Sequence, residues 1–177
     1  MKIYSALLRG INVGGHKKVP MAELRELLSK TGLDNVQTYI QSGNVIFQSN
    51  ESDKLILEDL IHKTIRNCFG FEVPVLVRTG AELKAIFDNC PFNEEKKANS
   101  YFTMLSEIPD QDLVIEASQK IYPDEEYIIL KDCIYFFSAK GYGNAKFNLN
   151  FFEKKLKINA TSRNYKTMVK LLSLCEN

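Results

Sequence analysis

The sequence predicts an α+β protein made of two related halves. Short apolar runs and segments with helical spacing follow one another in the order β-α-β-β-α-β over residues 3–78. This order is that of the ferredoxin-like fold. From residue 101 a similar pattern begins again as β-α-β-β-α, with a C-terminal helix in place of a last strand. The repeat lies in the pattern and not in the residues, and it indicates an internal duplication.

Proline and glycine mark the boundaries of the elements in the first half. The predicted elements are a strand at 3–8, a helix between Pro20 and Gly32, strands at 36–40 and 44–48, a helix at 53–69 and a strand at 73–78. Pro20 suits the first position of a helix, and Gly32 and Gly70 suit the residue that follows one. Gln41-Ser42-Gly43 is a candidate tight turn between the two middle strands.

The second half begins after a polar connection. Thr79 and Glu82 have the spacing of a capping box, which predicts a helix start. Residues 91–99 are mostly polar, so we expect a subdomain at 1–90, a linker at 91–99 and a second subdomain at 100–177. The predicted elements there are a strand at 101–105, a helix at 110–120, a hairpin of 127–130 with 134–137, a helix through 149–156, and a last helix capped by Ser162 or Asn164.

Composition limits the classes of function. The chain has 177 residues and a formal net charge of +1, which gives no overall attraction to nucleic acids or membranes. Its four cysteines are widely spaced and only two histidines accompany them, so we expect no metal site. Since three of them, Cys68 included, fall on predicted apolar faces, we expect reduced, buried thiols. No leader or membrane-spanning run is evident, and this pattern favours a cytoplasmic protein.

The first candidate site is the loop after the first strand. Arg9 is followed by Gly10, Asn12, Gly14 and Gly15 and then by His16, Lys17 and Lys18, just before a predicted helix. Glycines permit close approach of the backbone to a ligand, and a helix N-terminus attracts anions. The glycine spacing matches neither a P-loop nor a dinucleotide-binding fingerprint. Glycines that only shape a long turn remain an alternative reading.

Two further polar groups could complete this site. Gln41, Ser42 and Asn44 lie in the predicted hairpin turn, although turn residues also hydrogen-bond to their own backbone. Arg163 and Asn164 precede the last helix, where the arginine could bind a phosphate or carboxylate and the asparagine could cap the helix or bind ligand. We therefore expect an anion site in a cleft between the two halves, with these ligand-binding residues: Arg9, Gly10, Asn12, Gly14, Gly15, Gln41, Ser42, Asn44, Arg163 and Asn164.

Four segments also resemble one bacterial family. They are Leu7-Leu8-Arg9-Gly10-Ile11-Asn12-Val13-Gly14-Gly15, Met21-Ala22-Glu23-Leu24, Thr38-Tyr39-Ile40-Gln41-Ser42-Gly43-Asn44-Val45-Ile46-Phe47 and Ala160-Thr161-Ser162-Arg163-Asn164-Tyr165. The family is catalogued as domain of unknown function 1697. The resemblance implies an α+β fold of ferredoxin-like subdomains and no established activity. The segment 141–146 fits the family's glycine-rich segment only loosely.

Catalytic chemistry has little support in the sequence. Ser42 lacks the surroundings of a nucleophile elbow, and His16 has no carboxylate near it in sequence. His62 has carboxylates one helical turn earlier, but such pairs are common on solvated faces. Whether the protein is an enzyme stays open, and no cofactor is identified. If it acts chemically, an Arg, Asn and Gln-rich site favours group transfer or hydrolysis by electrostatic stabilisation.

Three hypotheses for function follow. The first is binding of a small phosphate- or carboxylate-bearing ligand. The second is a protein-interaction module or homodimer that uses an exposed strand edge or the aromatic hairpin Tyr135-Phe136-Phe137. The third is RNA binding through the first sheet, which the element order permits. Here Tyr4 is the lone candidate platform aromatic, because Asn44 and Ile46 stand where the stacking rings of that module belong. Tyr142, between two glycines, is the best-placed aromatic residue for stacking on a ligand, and the sequence favours the alternative that it packs in the core or within its loop.

Overall fold

The predicted α+β class is confirmed. The computed structural model describes residues 1–176 and contains two four-stranded antiparallel sheets with helices between the strands. The chain forms two compact units, one of Met1–Leu83 with the residues from Leu171 onward and one of Lys84–Lys170. Within the described residues, no helix has the length and apolar character that a membrane span requires.

The first unit has the predicted element order. Its elements are β1 (Lys2–Leu8), α1 (Met21–Ser29), β2 (Asp34–Tyr39), β3 (Asn44–Ser49), α2 (Lys54–Phe69) and β4 (Val75–Thr79). The sheet order is β2-β3-β1-β4, so β1 is an inner strand and pairs antiparallel with both β3 and β4. Tyr4, Leu8, Leu24 and Ile61 are buried together in its core. Consecutive residues of β1 from Tyr4 to Leu8 are buried, so both of its faces are covered, which explains why most of its residues are apolar.

The prediction that Cys68 is a buried thiol is wrong. All four cysteines are free, but Cys133 alone is buried, and Cys68 is exposed. The buried positions of α2 are Leu57, Ile61 and Ile65, four residues apart. Because the stripe continues at that spacing, Phe69 and not Cys68 packs against the core.

The second unit contains a strand that the sequence pattern did not predict. After α3 (Gly80–Asp88) and α4 (Glu94–Ala98), the elements are β5 (Tyr101–Leu105), α5 (Gln111–Ser118), β6 (Glu125–Leu130), β7 (Cys133–Ser138), a 3₁₀ turn (Tyr142–Asn144), α6 (Leu149–Leu156), β8 (Ala160–Asn164) and α7 (Tyr165–Cys175). The sheet order is β6-β7-β5-β8. The second half therefore has the complete element order β-α-β-β-α-β, and the expected replacement of its last strand by a helix is wrong.

The absence of β8 from the predicted elements has a physical explanation. β8 carries the sequence Ala-Thr-Ser-Arg-Asn, in which strong strand formers are few. It is held by pairing along its whole length with β5, from Tyr101 opposite Asn164 to Leu105 opposite Ala160. Such pairing with a strand distant in sequence leaves no mark in local periodicity.

The predicted capping box at the start of α3 is confirmed. The backbone N–H of Glu82 donates to Thr79 Oγ1 at 3.2 Å, and the N–H of Thr79 donates to Glu82 Oε2 at 2.8 Å. Lys54 also donates to the Glu82 carboxylate. Burial by itself would raise the pKa of Glu82, but the hydrogen bonds from Lys54 and Thr79 outweigh it and lower that pKa below its usual 4.5.

The turn of β2 and β3 is fixed to the first loop by one side chain. Asn12 Nδ2 donates to the carbonyls of Val19 at 3.0 Å and Gln41 at 2.9 Å, and Oδ1 accepts from the N–H of Val19 at 2.8 Å. The side-chain amide of Asn12 thus joins both ends of its own loop and the hairpin turn. Gly43 in that turn approaches Leu8 and Ile11 so closely that a Cβ would lie 2.7 Å from the Leu8 Cβ.

We predict that Glu82→Gln removes a pH-dependent part of the stability. Because the folded-state pKa of Glu82 is lowered, its contribution is present above the ordinary pKa and is lost as pH falls through the folded value. The difference in free energy of unfolding between wild type and Glu82→Gln should therefore shrink from neutral pH to about pH 3 in denaturant titrations. The control is Glu26→Gln, because the exposed Glu26–Lys30 pair is screened and contributes little. A difference that stays constant with pH would contradict this account.

We predict that Asn12→Ala lowers the free energy of unfolding by about 1–3 kcal/mol more than Asn35→Ala does, since it leaves buried polar groups without their partner. Asn35 is a matched control because it has a similar left-handed backbone, with φ of 48° against 56° for Asn12. Its amide makes one exposed side-chain bond, to Gln48. Urea titration of both variants measures the difference. Equal losses in the free energy of unfolding would show that the hydrogen bonds of the Asn12 amide do not stabilise the loop and the hairpin turn.

Candidate functional site

The candidate site is a cavity of about 600 Å³ within the second unit. It lies where β5 begins and where β7 and β8 end. The residues that line it are Ala98, Asn99, Ser100, Tyr101, Phe137, Ser138, Ala139, Gly141, Tyr142, Asn164, Tyr165 and Lys166. A volume of this size is typical of small-molecule sites.

The pairing of β5 with β8 builds one wall of the cavity. Tyr101 lies opposite Asn164 in the register, and the N–H of Tyr165 donates to the carbonyl of Ser100 at 3.2 Å. α7 begins at once, and the N–H of Thr167 donates to Asn164 Oδ1 at 2.9 Å. Asn164 is therefore the helix cap predicted from the sequence, and it also lines the cavity. Its Nδ2 group can donate to a ligand.

Two stacked tyrosines form another wall. The rings of Tyr101 and Tyr142 have centroids 4.3 Å apart and an angle of 29° between their planes. Phe136 meets the Tyr142 ring edge-on, with centroids 6.1 Å apart. Tyr142 nevertheless stays 40% exposed. An aromatic ring that is held by its neighbours and still open to solvent can take part in ligand binding.

The charge of the lining is positive. Among the described residues that line the cavity, Lys166 is the only charged one. It is the second residue of α7, a helix of 11 residues, so it lies where the aligned peptide dipoles place partial positive charge. No lining carboxylate opposes it. The one formal charge among the described lining residues is therefore positive.

Arg163 differs from Asn164 in its surroundings. Its side chain is buried, and Nη1 donates to Thr161 Oγ1 and to the Ser162 carbonyl, both at 2.8 Å. Burial lowers its pKa to about 10. Neighbouring residues of a strand point to opposite faces of the sheet, so Arg163 and Asn164 diverge. Arg163 is not among the residues that line the cavity.

The glycine loop of the first unit is an exposed turn. Gly10, Gly14 and Gly15 have φ values of 71°, 58° and 78°, which explains the need for glycine there. The loop is joined to the rest of the unit by Asn12 and by Lys17, whose Nζ donates to the Glu72 carbonyl at 2.6 Å. The amide of Asn12 is thus engaged within the protein itself.

The polar residues of the hairpin turn lie beside this loop, as the sequence suggested. Asn44 is buried, and its Nδ2 donates to the Tyr39 carbonyl at 3.0 Å and to Ser42 Oγ at 3.1 Å. Gln41 and Ser42 are exposed, and the Gln41 carbonyl accepts from Asn12. The structure brings Asn12 and Gln41 together, and it gives Asn44 a structural role. Arg9 lies in the first unit and Arg163 in the second, and their shared site stays a prediction.

Sequence reasoning missed Lys166, Tyr101 and the stretch around Asn99. The signal for Lys166 was present, because it stands two residues after the predicted cap Asn164. If β8 is recognised as a strand, Arg163 and Asn164 are expected on opposite faces of the sheet. Lys166 is then the next charged residue on the side of Asn164 that leads into the helix. Tyr101 carries no local signal, since it resembles any aromatic residue at the start of a strand.

Other candidate chemistries have weaker geometry. Within residues 1–176, no group of three or more His, Cys, Asp or Glu side chains could hold a metal ion. Tyr4, the candidate RNA-stacking residue, is buried and its hydroxyl donates to the Glu51 carbonyl. The rings of Tyr135 and Phe136 are also buried, because Tyr135 packs against Phe102 and Phe136 packs against Phe147. The expectation that this hairpin offers an aromatic docking surface is therefore wrong for these two rings.

Comparison with known proteins places the chain in a family. It is similar to a solved structure titled the conserved bacterial protein SP0830 from Streptococcus pneumoniae, with 30% sequence identity, a TM-score of 0.77 and coverage of 98% of both chains. No curated protein matches it. Residues 1–135 match the sequence model of a family described as protein of unknown function, DUF1697. Since this match covers more than half of the chain, and the resemblance of the glycine loop and hairpin turn agrees with it, the protein belongs to the DUF1697 family.

Proposed function

We propose that the protein binds a small anionic ligand, carrying a phosphate or carboxylate, in the cavity of the second unit. The observation that supports this proposal is the charge of the lining. Among the described lining residues only Lys166 is charged, and it lies in the first turn of α7. A charge-assisted hydrogen bond from an ammonium group is stronger than a neutral one. The helix dipole adds to the attraction at the same place.

The neutral polar residues of the lining supply orientation. Asn99, Ser138 and Asn164 offer amide and hydroxyl groups around the cavity. The Asn99 amide donates through Nδ2 to the Glu95 carbonyl, which fixes its orientation and lets Oδ1 accept from a ligand. The lining thus combines aromatic rings with several polar groups, and such polar groups orient a small molecule in its site.

We predict that Lys166→Gln weakens anion binding at least tenfold, because a hydrogen bond to a charged group contributes about 1.5–3 kcal/mol. The control is Lys170→Gln, which makes the same change in charge one turn later in α7, at a residue outside the lining. Calorimetric titration with inorganic phosphate, sugar phosphates and small carboxylates measures the affinities. The proposal fails if no anion binds the wild type, or if the two variants bind equally well.

An Arg9→Ala variant tests whether the anion binds in the cavity or at the glycine loop. The loop around Arg9, Gly10, Gly14 and Gly15 is a second position for an anion, and this position stays a prediction. If the cavity is the site, Arg9→Ala should bind as the wild type does in the same titrations. Loss of binding in Arg9→Ala with normal binding in Lys166→Gln would move the site to the loop.

Self-association is a second candidate function, supported by one edge of the second sheet. β6 is an edge strand, and its side chains Ile128 and Leu130 are exposed. An edge strand with exposed apolar residues offers both backbone groups and apolar area to another strand.

We predict that, if β6 mediates self-association, Ile128→Lys dissociates the dimer and Ile56→Lys does not, because an edge charge opposes strand pairing. Ile56 is an exposed isoleucine of α2 and controls for the charge itself. Light scattering after size exclusion, at low and high micromolar concentrations, measures the mass. A monomer at every concentration would remove this candidate.

A further inference from the structure

We infer that the anion bound in this cavity carries a planar aromatic ring, which stacks against Tyr142. The inference rests on the proposed function, and it narrows the ligand class from any small anion to ring-bearing ones. Nucleotides and aryl phosphates or carboxylates share this chemistry. The observation that carries it is that the stacked rings of Tyr101 and Tyr142 line the same cavity as the cationic side chain of Lys166.

The position of Tyr142 is built into the local backbone. Gly141, just before it, has φ of 76° and ψ of 162°, a conformation open to glycine and strained for other residues. A single 3₁₀ turn then runs from Tyr142 to Asn144. This turn is closed by the N–H of Ala145, which donates to the Tyr142 carbonyl at 3.0 Å. The chain thus uses a special conformation to place one aromatic ring at the rim of a polar cavity.

The surroundings of Tyr142 orient its ring for stacking. Its ring stacks on Tyr101 with 4.3 Å between centroids and 29° between the planes, and Phe136 contacts it edge-on. Offset parallel rings and edge contacts are the favoured aromatic arrangements, so the ring is held in a defined plane. Its 40% exposure leaves area that a further planar group can cover.

The size of the cavity agrees with a ligand larger than a simple anion. Inorganic phosphate would contact Lys166 and fill a small part of about 600 Å³. A ring joined to a phosphate or carboxylate could use the lysine and the tyrosine wall together. Stacking on an aromatic side chain does not depend on the identity of the ring, because every planar base or aryl group has a π-face.

The test uses matched pairs of ligands that differ in the ring. The pairs are adenosine 5′-monophosphate with ribose 5-phosphate, and phenyl phosphate with methyl phosphate. We expect the ring-bearing member of at least one pair to bind the full-length protein about tenfold more tightly, which is the usual contribution of one stacking contact. Tyr142→Ala should abolish this ratio, while Tyr142→Phe, which retains the ring, should preserve it. Lys166→Gln should weaken both members of the pair.

Each outcome separates the inference from the proposed function. Equal binding of both members of both pairs overturns the ring inference and leaves anion binding intact, whereas no binding of any of these phosphates or of the small carboxylates overturns both. Because the chain has no tryptophan, Tyr142→Trp adds a single fluorophore that retains an aromatic face. Its emission should change with the ring-bearing ligand and much less with its partner. If Tyr142→Ala has the urea midpoint of the wild type and still binds the ring-bearing ligand more tightly than its partner, the ligand's ring contacts another wall of the cavity. That result would contradict the role of Tyr142.

Discussion

The pairing of β8 with β5 is the constraint on which the candidate site depends. It places Tyr101 opposite Asn164 and brings the backbone of Ser100 to the start of α7. Residues more than 60 positions apart in the chain thereby line one cavity, together with Tyr142 and Lys166. Without this pairing, the helix start that carries the charge would have no fixed relation to the aromatic residues.

Strand alternation then decides which side chains face the cavity. Arg163 is buried on the face of the sheet opposite to that of Asn164, and its guanidinium bonds to Thr161 and to the neighbouring carbonyl. Asn164 ends the strand and caps α7. The charge that the ligand would meet therefore comes from Lys166, which follows the strand. The sequence alone does not distinguish Arg163 from Lys166 as the residue available to a ligand, because the distinction depends on where β8 ends and α7 begins.

Much of the fold could be predicted from residues whose effect is local. The capping box of Thr79 and Glu82, the turn at Gln41-Ser42-Gly43 and Gly70 after α2 all act within a few residues, and the structure confirms them. Gly32 is different, because α1 ends at Ser29 with Lys30 as its C-cap and the glycine lies two residues farther on. β8 could not be predicted in this way, because its partner β5 lies far away in sequence. The same holds for the site. Asn12 is an example, because its side-chain amide binds the carbonyl of Gln41, 29 residues later in the sequence, and no local pattern predicts that contact.

The most direct test of the central claim is a titration of the ¹⁵N-labelled protein with inorganic phosphate, followed by amide chemical shifts. If the anion binds beside Lys166, the amides of Tyr142 and of residues 164–167 should shift together along one binding curve. The amides of the glycine loop, from Gly10 to Gly15, should stay in place. Shifts confined to that loop, with none at the start of α7, would contradict the account.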